Sequence, residues 1–329
     1  MIEVCLVYDV DNIGHDILSQ TPKHSGIINN YHFSLFNQKN ISDLPKEADA
    51  LIVLNSPITD INISVPKELT FLVSQEAPNE RYKWHTNSFK YFSEVYTQWS
   101  IRKNNIIPSH GFLTWYIEKD YDELQQINMD EKLNGNSLAY IGNKEAILSG
   151  QVKRNKFVED LKHAFRDHSS ISVDLLGRSY NAPISNKFEV LNKYKYALAI
   201  ENTIVDHYWT EKISDIFLAG CLPFYIGPMN IFNYFPKDSI ITLDYDIDKA
   251  VRIIEKAIEN NEFEKRKGYI VEARNKVLTD YNLFYAFSEI INKKRAELPN
   301  LKKEQLYFPR NYWNKKQSLW QRIKNKITH

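Results

Sequence analysis

The sequence predicts two α/β domains, each built on an open, doubly wound parallel sheet. Three observations carry this. The chain has 329 residues, a length that suits two domains. Short runs rich in Val, Ile and Leu recur through both halves, bounded by polar or Pro-containing segments, as buried parallel strands are. In the second half these runs alternate with segments of helical apolar spacing, the pattern of βαβ units.

Taken in order, "IEVCLVY" (2–8), "ADALIVLN" (48–55) and "LTFLVSQ" (69–75) read as strands, with "FSEVYTQW" (92–99) as a fourth. Polar, weakly helical connections join them. Around 129–137, "MDEKLNGNS", the composition turns polar and holds an Asn-Gly turn signal. The boundary is placed there, giving a first domain of residues 1–132 and a second of residues 133–295. "LAYIG" (138–142) reads as a strand, and residues 149–168 as a helix with Phe157, Val158, Leu161 and Phe165 at helical spacing. Strands at 171–177 and 196–202, a helix at 210–220, a strand at 222–227 and an amphipathic helix at 247–261 follow. Two such domains face to face form a cleft at the carboxyl ends of their strands, where open sheets bind ligands.

Composition narrows the class. The chain is 43% hydrophobic and 25% charged, ordinary for a soluble protein with real cores. Its 20 Tyr, 17 Phe and 6 Trp are mostly accounted for by packing. Two isolated cysteines, Cys5 and Cys221, make neither a disulfide framework nor a zinc site, and a reducing compartment fits. "MIEVCLVYDV" opens directly as a strand, so no signal peptide is read, and no run reaches the 18 or so apolar residues of a membrane span. A cytoplasmic body is expected. The net charge of +1 conceals an asymmetry: residues 293–329 carry eleven Lys/Arg against two Glu, which leaves the preceding chain acidic.

The stretch "VDHYWTEKISDIFLAGCLPFYIG" (205–227) loads charge onto the mouth of an apolar helix. The preceding strand ends in Glu201-Asn202, and Thr210 is a plausible N-cap that leaves Glu211 and Lys212 in the first turn. A lysine there opposes its own helix dipole, which makes sense if an anion such as a pyrophosphate sits between them. Solvated first-turn residues are the competing explanation, and charge placement does not choose. Arg154, near the start of the 149–168 helix, suits bidentate phosphate contact, although a lone helical Arg is more often solvated. Glu76 follows the strand 69–75 at its carboxyl end, where a general base would sit; position alone favours a surface loop acid. "YDVD" (8–11) and "DYD" (244–246) read as acidic turns. The sequence holds no Walker loop, no GxGxxG and no His spacing of metal-ligand type.

"YKYALAIENTIVDHYWTEKISDIFLAGCLPFYIGPMNIFNYFPKDSII" (194–241) closely resembles the signature of the glycosyltransferase family 10 fucosyltransferases. That signature runs Tyr-Lys-Phe, an apolar strand, Glu-Asn-Ser, Tyr-x-Thr-Glu-Lys, Ala-Gly and Pro-x-Tyr-x-Gly. The departures are Tyr196 for Phe, Thr203 for Ser and Leu222 before Pro223. Upstream, "SGQVKRNKFVEDL" (149–161), "VDLLGRS" (173–179) and "SQEAPN" (74–79), with Ala77 in place of Ser, agree more weakly. "YTQWSIRKNNIIPSHG" (96–111) resembles the acceptor-side stretch only loosely. The resemblance implies the two facing Rossmann-like domains called GT-B, the first for acceptor and the second for a GDP-sugar. It implies inverting transfer of L-fucose from GDP-L-fucose to a GlcNAc-containing oligosaccharide in α-1,3 or α-1,4 linkage. By position Glu76 is then the general base. Arg154 and Lys212 hold the pyrophosphate, Tyr208 and Glu211 contact nucleotide or ribose, and Glu201 and Asn202 line the donor pocket. Cations and helix amides can neutralise the diphosphate, so no cofactor is required and no metal in the site; a divalent ion would act only as a stimulant. A different GDP-6-deoxyhexose donor, or a catalytically silent nucleotide- or glycan-binding protein on the same fold, are the alternatives.

The tail, residues 296–329, interleaves aromatics with cations, and Trp320, Ile323 and Ile327 share one helical face. Two readings stay open. One is an interfacial helix on the cytoplasmic face of a membrane, bringing the protein to lipid-linked acceptors; the other is a tail packed back across the first domain. Nucleic-acid binding is not expected, since no binding fold accompanies the basic patch.

Overall fold

A computed structural model of the chain describes residues 1–8, 17–112, 115–127, 132, 134–144, 146, 148–166 and 170–311. The strands are β1 (Ile2–Val7), β2 (Ile27–Ile28), β3 (Tyr31–Phe36), β4 (Ala50–Leu54), β5 (Ile61–Pro66), β6 (Thr70–Val73), β7 (Glu94–Thr97) and β8 (Ile106–Pro108). After them come α1 (Tyr121–Gln126), β9 (Asn134–Ile141), α2 (Ser149–Arg166), β10 (Ser172–Leu176), α3 (Lys187–Leu191), β11 (Tyr194–Ile200), α4 (Glu211–Leu218), β12 (Leu222–Ile226) and β13 (Ile241–Thr242). Helices α5 (Ile247–Glu259), α6 (Glu262–Leu278) and α7 (Leu283–Glu297) and strand β14 (Lys303–Phe308) complete the chain.

The described residues fall into two compact units, one drawn from 1–8, 31–108 and 291–311, the other from 17–30 and 109–290. In the first, the strands run parallel in the order β3-β1-β4-β6-β7-β8. Val4 through Val7 and Ala50 through Leu54 are buried, as two-sided cover of a parallel sheet requires. The cover itself differs from a doubly wound sheet. Among the described residues of 1–108 the connections are 3₁₀ turns and loops rather than α-helices. One sheet face instead carries an antiparallel ribbon of β5 with β14, in register from Lys303↔Pro66 to Phe308↔Ile61. Ile61, Ile63, Val65 and Phe308 pack with Val7, Val53, Leu72 and Val95 in one cluster, and Phe308 stacks on Phe92 at 4.8 Å.

Of the two readings of the tail, its described part takes the one packed back across the first unit, and it does so as a strand. Leu306 and Phe308 alternate with Gln305 and Tyr307, and that period of two turns Leu306 and Phe308 to the core beneath the ribbon. Trp320, Ile323 and Ile327, with the rest of 312–329, and Asp9 and Asp11 of the "YDVD" cluster lie outside the described residues.

The second unit holds the parallel order β10-β9-β11-β12-β13. Phe157, Val158, Leu161 and Phe165 of α2 are all buried against it, as their spacing predicts. Segment 109–132, which the composition shift assigns to the first domain, is grouped with this unit. Trp115, Ile117, Tyr121 and Leu124 bury their apolar groups in the same core as β9 and β11, so the boundary between the units falls before them, and Asn134–Ser137 of the polar stretch open strand β9. At the other end, residues 291–295 group with the first unit.

Candidate functional site

Strand β11 is buried along Tyr196–Ile200 and delivers Glu201 and Asn202 at its carboxyl end. A loop then leads to Thr210, which caps α4 as its sequence position predicts. Its side chain accepts from the Lys212 N–H at 3.4 Å. On the other side of Asn202 lies the start of α2. A Cβ on Gly150 would fall 1.8 Å from the Asn202 carbonyl oxygen, so only glycine permits this approach. Two helix N-termini, whose dipoles favour an anion, thus meet beside one strand end.

Between α2, α3, α4 and the ends of β9 and β11 lies a cavity of about 390 Å³. Arg154, Lys187, Asn202, Glu211, Lys212 and Asp215 are among its lining residues. Arg154 is 4% exposed. Its guanidinium donates to Asn202 Oδ1, to the Asn143 carbonyl at 3.1 Å and to Asn155 Oδ1 at 3.1 Å. Every one of these acceptors is neutral. A buried guanidinium without a carboxylate is uncommon, because burying a charge is costly unless it is paired.

Lys212 is balanced differently. Its Nζ donates to Thr210 Oγ1 at 3.0 Å and to Glu211 Oε1 at 3.1 Å, with Glu201 Oε2 at 3.8 Å. Burial works against its charge, but Glu211 and Glu201 hold the ammonium above its ordinary pKa. Burial likewise pushes Glu211 up, and Lys212 with Lys187 more than reverses it, holding the carboxyl below its usual range. Glu201 goes the other way: burial raises it to about 7, against the pull of Lys212 and the Thr210 hydrogen bonds.

The structure thus brings together Arg154, Asn202, Glu211 and Lys212 on one wall. Glu201 is placed beneath that wall rather than on it. It is 1% exposed, and its carboxylate accepts from the Thr210 N–H at 2.9 Å and the Thr210 hydroxyl at 2.9 Å. Its work is to hold the cap of α4. Tyr208 is buried beside Trp209 in the loop before the cap and is not among the cavity's lining residues. Glu76 belongs to the first unit, half-buried just past β6, where the Gln75 N–H donates to Asn55 Oδ1 at 2.8 Å. Lys187 and Asp215 were not singled out from the sequence. Asn186, an N-cap before a lysine in "SNKFEVL", was the one local signal, and it marks a helix start without showing what the lysine reaches.

A larger hollow of about 1040 Å³ runs along β10 and the second half of α2. It begins at Ser137 and Ser172, near the amino-terminal ends of the strands, away from the carboxyl ends where open sheets bind ligands. Among the described residues no group of three His, Cys, Asp or Glu side chains could hold a metal ion.

Residues 143–267 match the model of the family described as glycosyltransferase family 10 (fucosyltransferase), C-terminal part. Over 97 residues the chain is 32% identical to the 4-galactosyl-N-acetylglucosaminide 3-alpha-L-fucosyltransferase 9 of Homo sapiens, covering 28% of this chain and 27% of that protein. The matched stretch therefore spans about a quarter of the curated relatives' length. An alpha1,3-fucosyltransferase crystal structure aligns over 88% of this chain and 90% of its own, with a TM-score of 0.50 and 14% identity. The OtsA apo structure aligns over 89% and 99%, with a TM-score of 0.51 and 8% identity. At such identities the likeness is one of fold: two parallel-sheet α/β units, the GT-B organisation.

Proposed function

We propose that this chain, whose residues 143–267 match the glycosyltransferase family 10 model, is an inverting fucosyltransferase that uses GDP-L-fucose. The acceptor in this reading is a GlcNAc-containing oligosaccharide, joined in α-1,3 or α-1,4 linkage. The observation that carries the proposal is the buried Arg154 guanidinium, whose partners among the described residues are neutral oxygens and include no carboxylate. Such a cation at the meeting of two helix N-termini is suited to a diphosphate, which supplies the missing negative charge.

The roles follow. Arg154 and Lys212 hold the diphosphate, Asn202 orients Arg154, and Glu211 faces the nucleotide's ribose, with Tyr208 packed behind the loop that carries it. Glu76, on the first unit, takes the acceptor hydroxyl proton. The freed oxygen forms a bond to the fucose anomeric carbon while the bond from that carbon to the diphosphate breaks, and GDP leaves with the electron pair. A single displacement of this kind inverts the anomeric centre. Its leaving-group charge falls to Arg154, Lys212 and the helix amides, which are fixed before reaction begins. A divalent ion is not needed for this neutralisation. In the same reading the basic residues 312–329 bring the protein to the cytoplasmic face of a membrane carrying lipid-linked acceptors; no described helix is long and apolar enough to cross one.

The test is to mix the purified protein with GDP-fucose and a panel of type 1 and type 2 N-acetyllactosamine acceptors, following GDP release and product mass. Acceptor-dependent GDP release with a deoxyhexose mass gain supports the reading. Tight GDP binding without transfer to any acceptor would overturn the sugar or acceptor assigned here.

A further inference from the structure

Three cations line the donor cavity, and the roles above use two of them. The third, Lys187, is the first residue of α3, capped by Asn186, and its backbone N–H donates to Glu118 Oε2 at 2.7 Å. Its ammonium donates to Asp215 Oδ2 at 2.6 Å, and Asp215 Oδ1 accepts from the Tyr116 N–H at 3.0 Å. The Asp215 side chain is 2% exposed, whereas that of Lys187 is 20% exposed, toward the cavity it lines.

Asp215 stands four residues after Glu211 on α4, so the two carboxylates lie one turn apart on the same face. Like charges at that spacing repel. Lys187 is the electrostatic neighbour of both. Glu211 in turn has Lys212 at 3.1 Å and is also held by Lys187. Without Lys187, Glu211 would keep Lys212 alone as its cationic neighbour.

We propose that Lys187 is a positioning residue of the donor site: anchored by Asp215, its ammonium fixes Glu211 as an ionised acceptor for the two vicinal ribose hydroxyls of the nucleotide. A carboxylate has two oxygens and accepts from both members of a diol. This assignment rests on reading the cavity as a GDP-sugar site. It adds a division of labour, in which Arg154 and Lys212 read the diphosphate and the Lys187–Asp215 pair reads the ribose through Glu211.

The test is calorimetric titration of the full chain with GDP, 2′,3′-dideoxy-GDP and inorganic pyrophosphate. Wild type should prefer GDP to its dideoxy analogue by about tenfold or more, the effect of hydrogen bonds to a charged acceptor. The paired variant Lys187→Met with Asp215→Asn removes both charges and so leaves no lone buried carboxylate. It should lose that preference to within about twofold while keeping pyrophosphate affinity. Asp215→Asn alone is nearly isosteric and retains the Tyr116 contact, so it covers the case in which the pair does not fold; it should reduce the preference in part. Lys187→Arg should restore it. Variants that keep the full preference for GDP, or lose all three ligands equally, overturn the role of Lys187. A wild type that binds GDP and dideoxy-GDP alike overturns this role and leaves the donor-site reading standing; one that binds none of the three overturns both.

Discussion

Arg154 ties the cavity to the fold through one side chain. Its guanidinium is buried on neutral oxygens. Arg154→Met should lower the unliganded melting temperature, because it leaves Asn202 Oδ1, the Asn143 carbonyl and Asn155 Oδ1 without this donor. The same change should weaken GDP binding by about thirtyfold or more, the lower end of losing one partner of a buried charge pair. A melt and a GDP titration on the same sample check both. Glu201 offers a pH test. Its carboxyl is raised from 4.5 to about 7 by burial, so stability from its protonated form is full below about pH 4.5 and is lost as pH rises through 7. That loss is roughly 3 kcal/mol between pH 4.5 and 8. Chemical denaturation of wild type and Glu201→Gln across this range should show the wild type falling relative to the variant; parallel curves would mean that Glu201 titrates normally. Glu76→Gln should cut kcat by about 10²–10⁴-fold, the usual contribution of a general base, with GDP affinity unchanged.

Among the elements, α2 and α4 matter through their first turns. Gly150 lets α2 close on the end of β11, where a methyl group would meet backbone 1.8 Å away. Gly150→Ala should cost about 1–3 kcal/mol of stability, as overpacking does, and reduce GDP affinity, since Arg154 sits one turn along the displaced helix. Denaturant titration reads the first effect and calorimetry the second. Thr210 shows how an element can be legible while its neighbours are not. Its place before Glu211-Lys212 is enough to identify an N-cap, because capping is a local contact between residues two or three apart. That Glu201 grips the same hydroxyl at 2.9 Å is a contact nine residues distant, and no local rule contains it. Lys187 and Asp215 are 28 residues apart and were invisible for the same reason.

At the scale of the whole molecule, the last described strand is tied to the first unit. Strand β14 completes a ribbon on β5, and Phe308 is 1% exposed in the core of the first unit. Phe308→Ala should cost about 3–5 kcal/mol, the range for a buried aromatic, measured by denaturant unfolding. Removing residues 312–329 should leave that transition in place and reduce partition onto anionic vesicles. Unchanged partition would overturn the membrane reading of the tail.

The strands of the second unit, the helix carrying Phe157, Val158, Leu161 and Phe165 and the charged entrance to α4 could be read directly, since each is a short-range pattern of spacing or capping. The ordered residues of 194–241 also pointed to a family. Tertiary structure alone decided that Glu201 lies under the site rather than in it, that Lys187 joins Asp215, and that the tail begins as a strand. It also decided that segment 109–132 buries its aromatics with the second unit. Each of these depends on which distant segments share a core or a charge, and such partners are chosen by packing and desolvation over the whole chain rather than by neighbours in sequence.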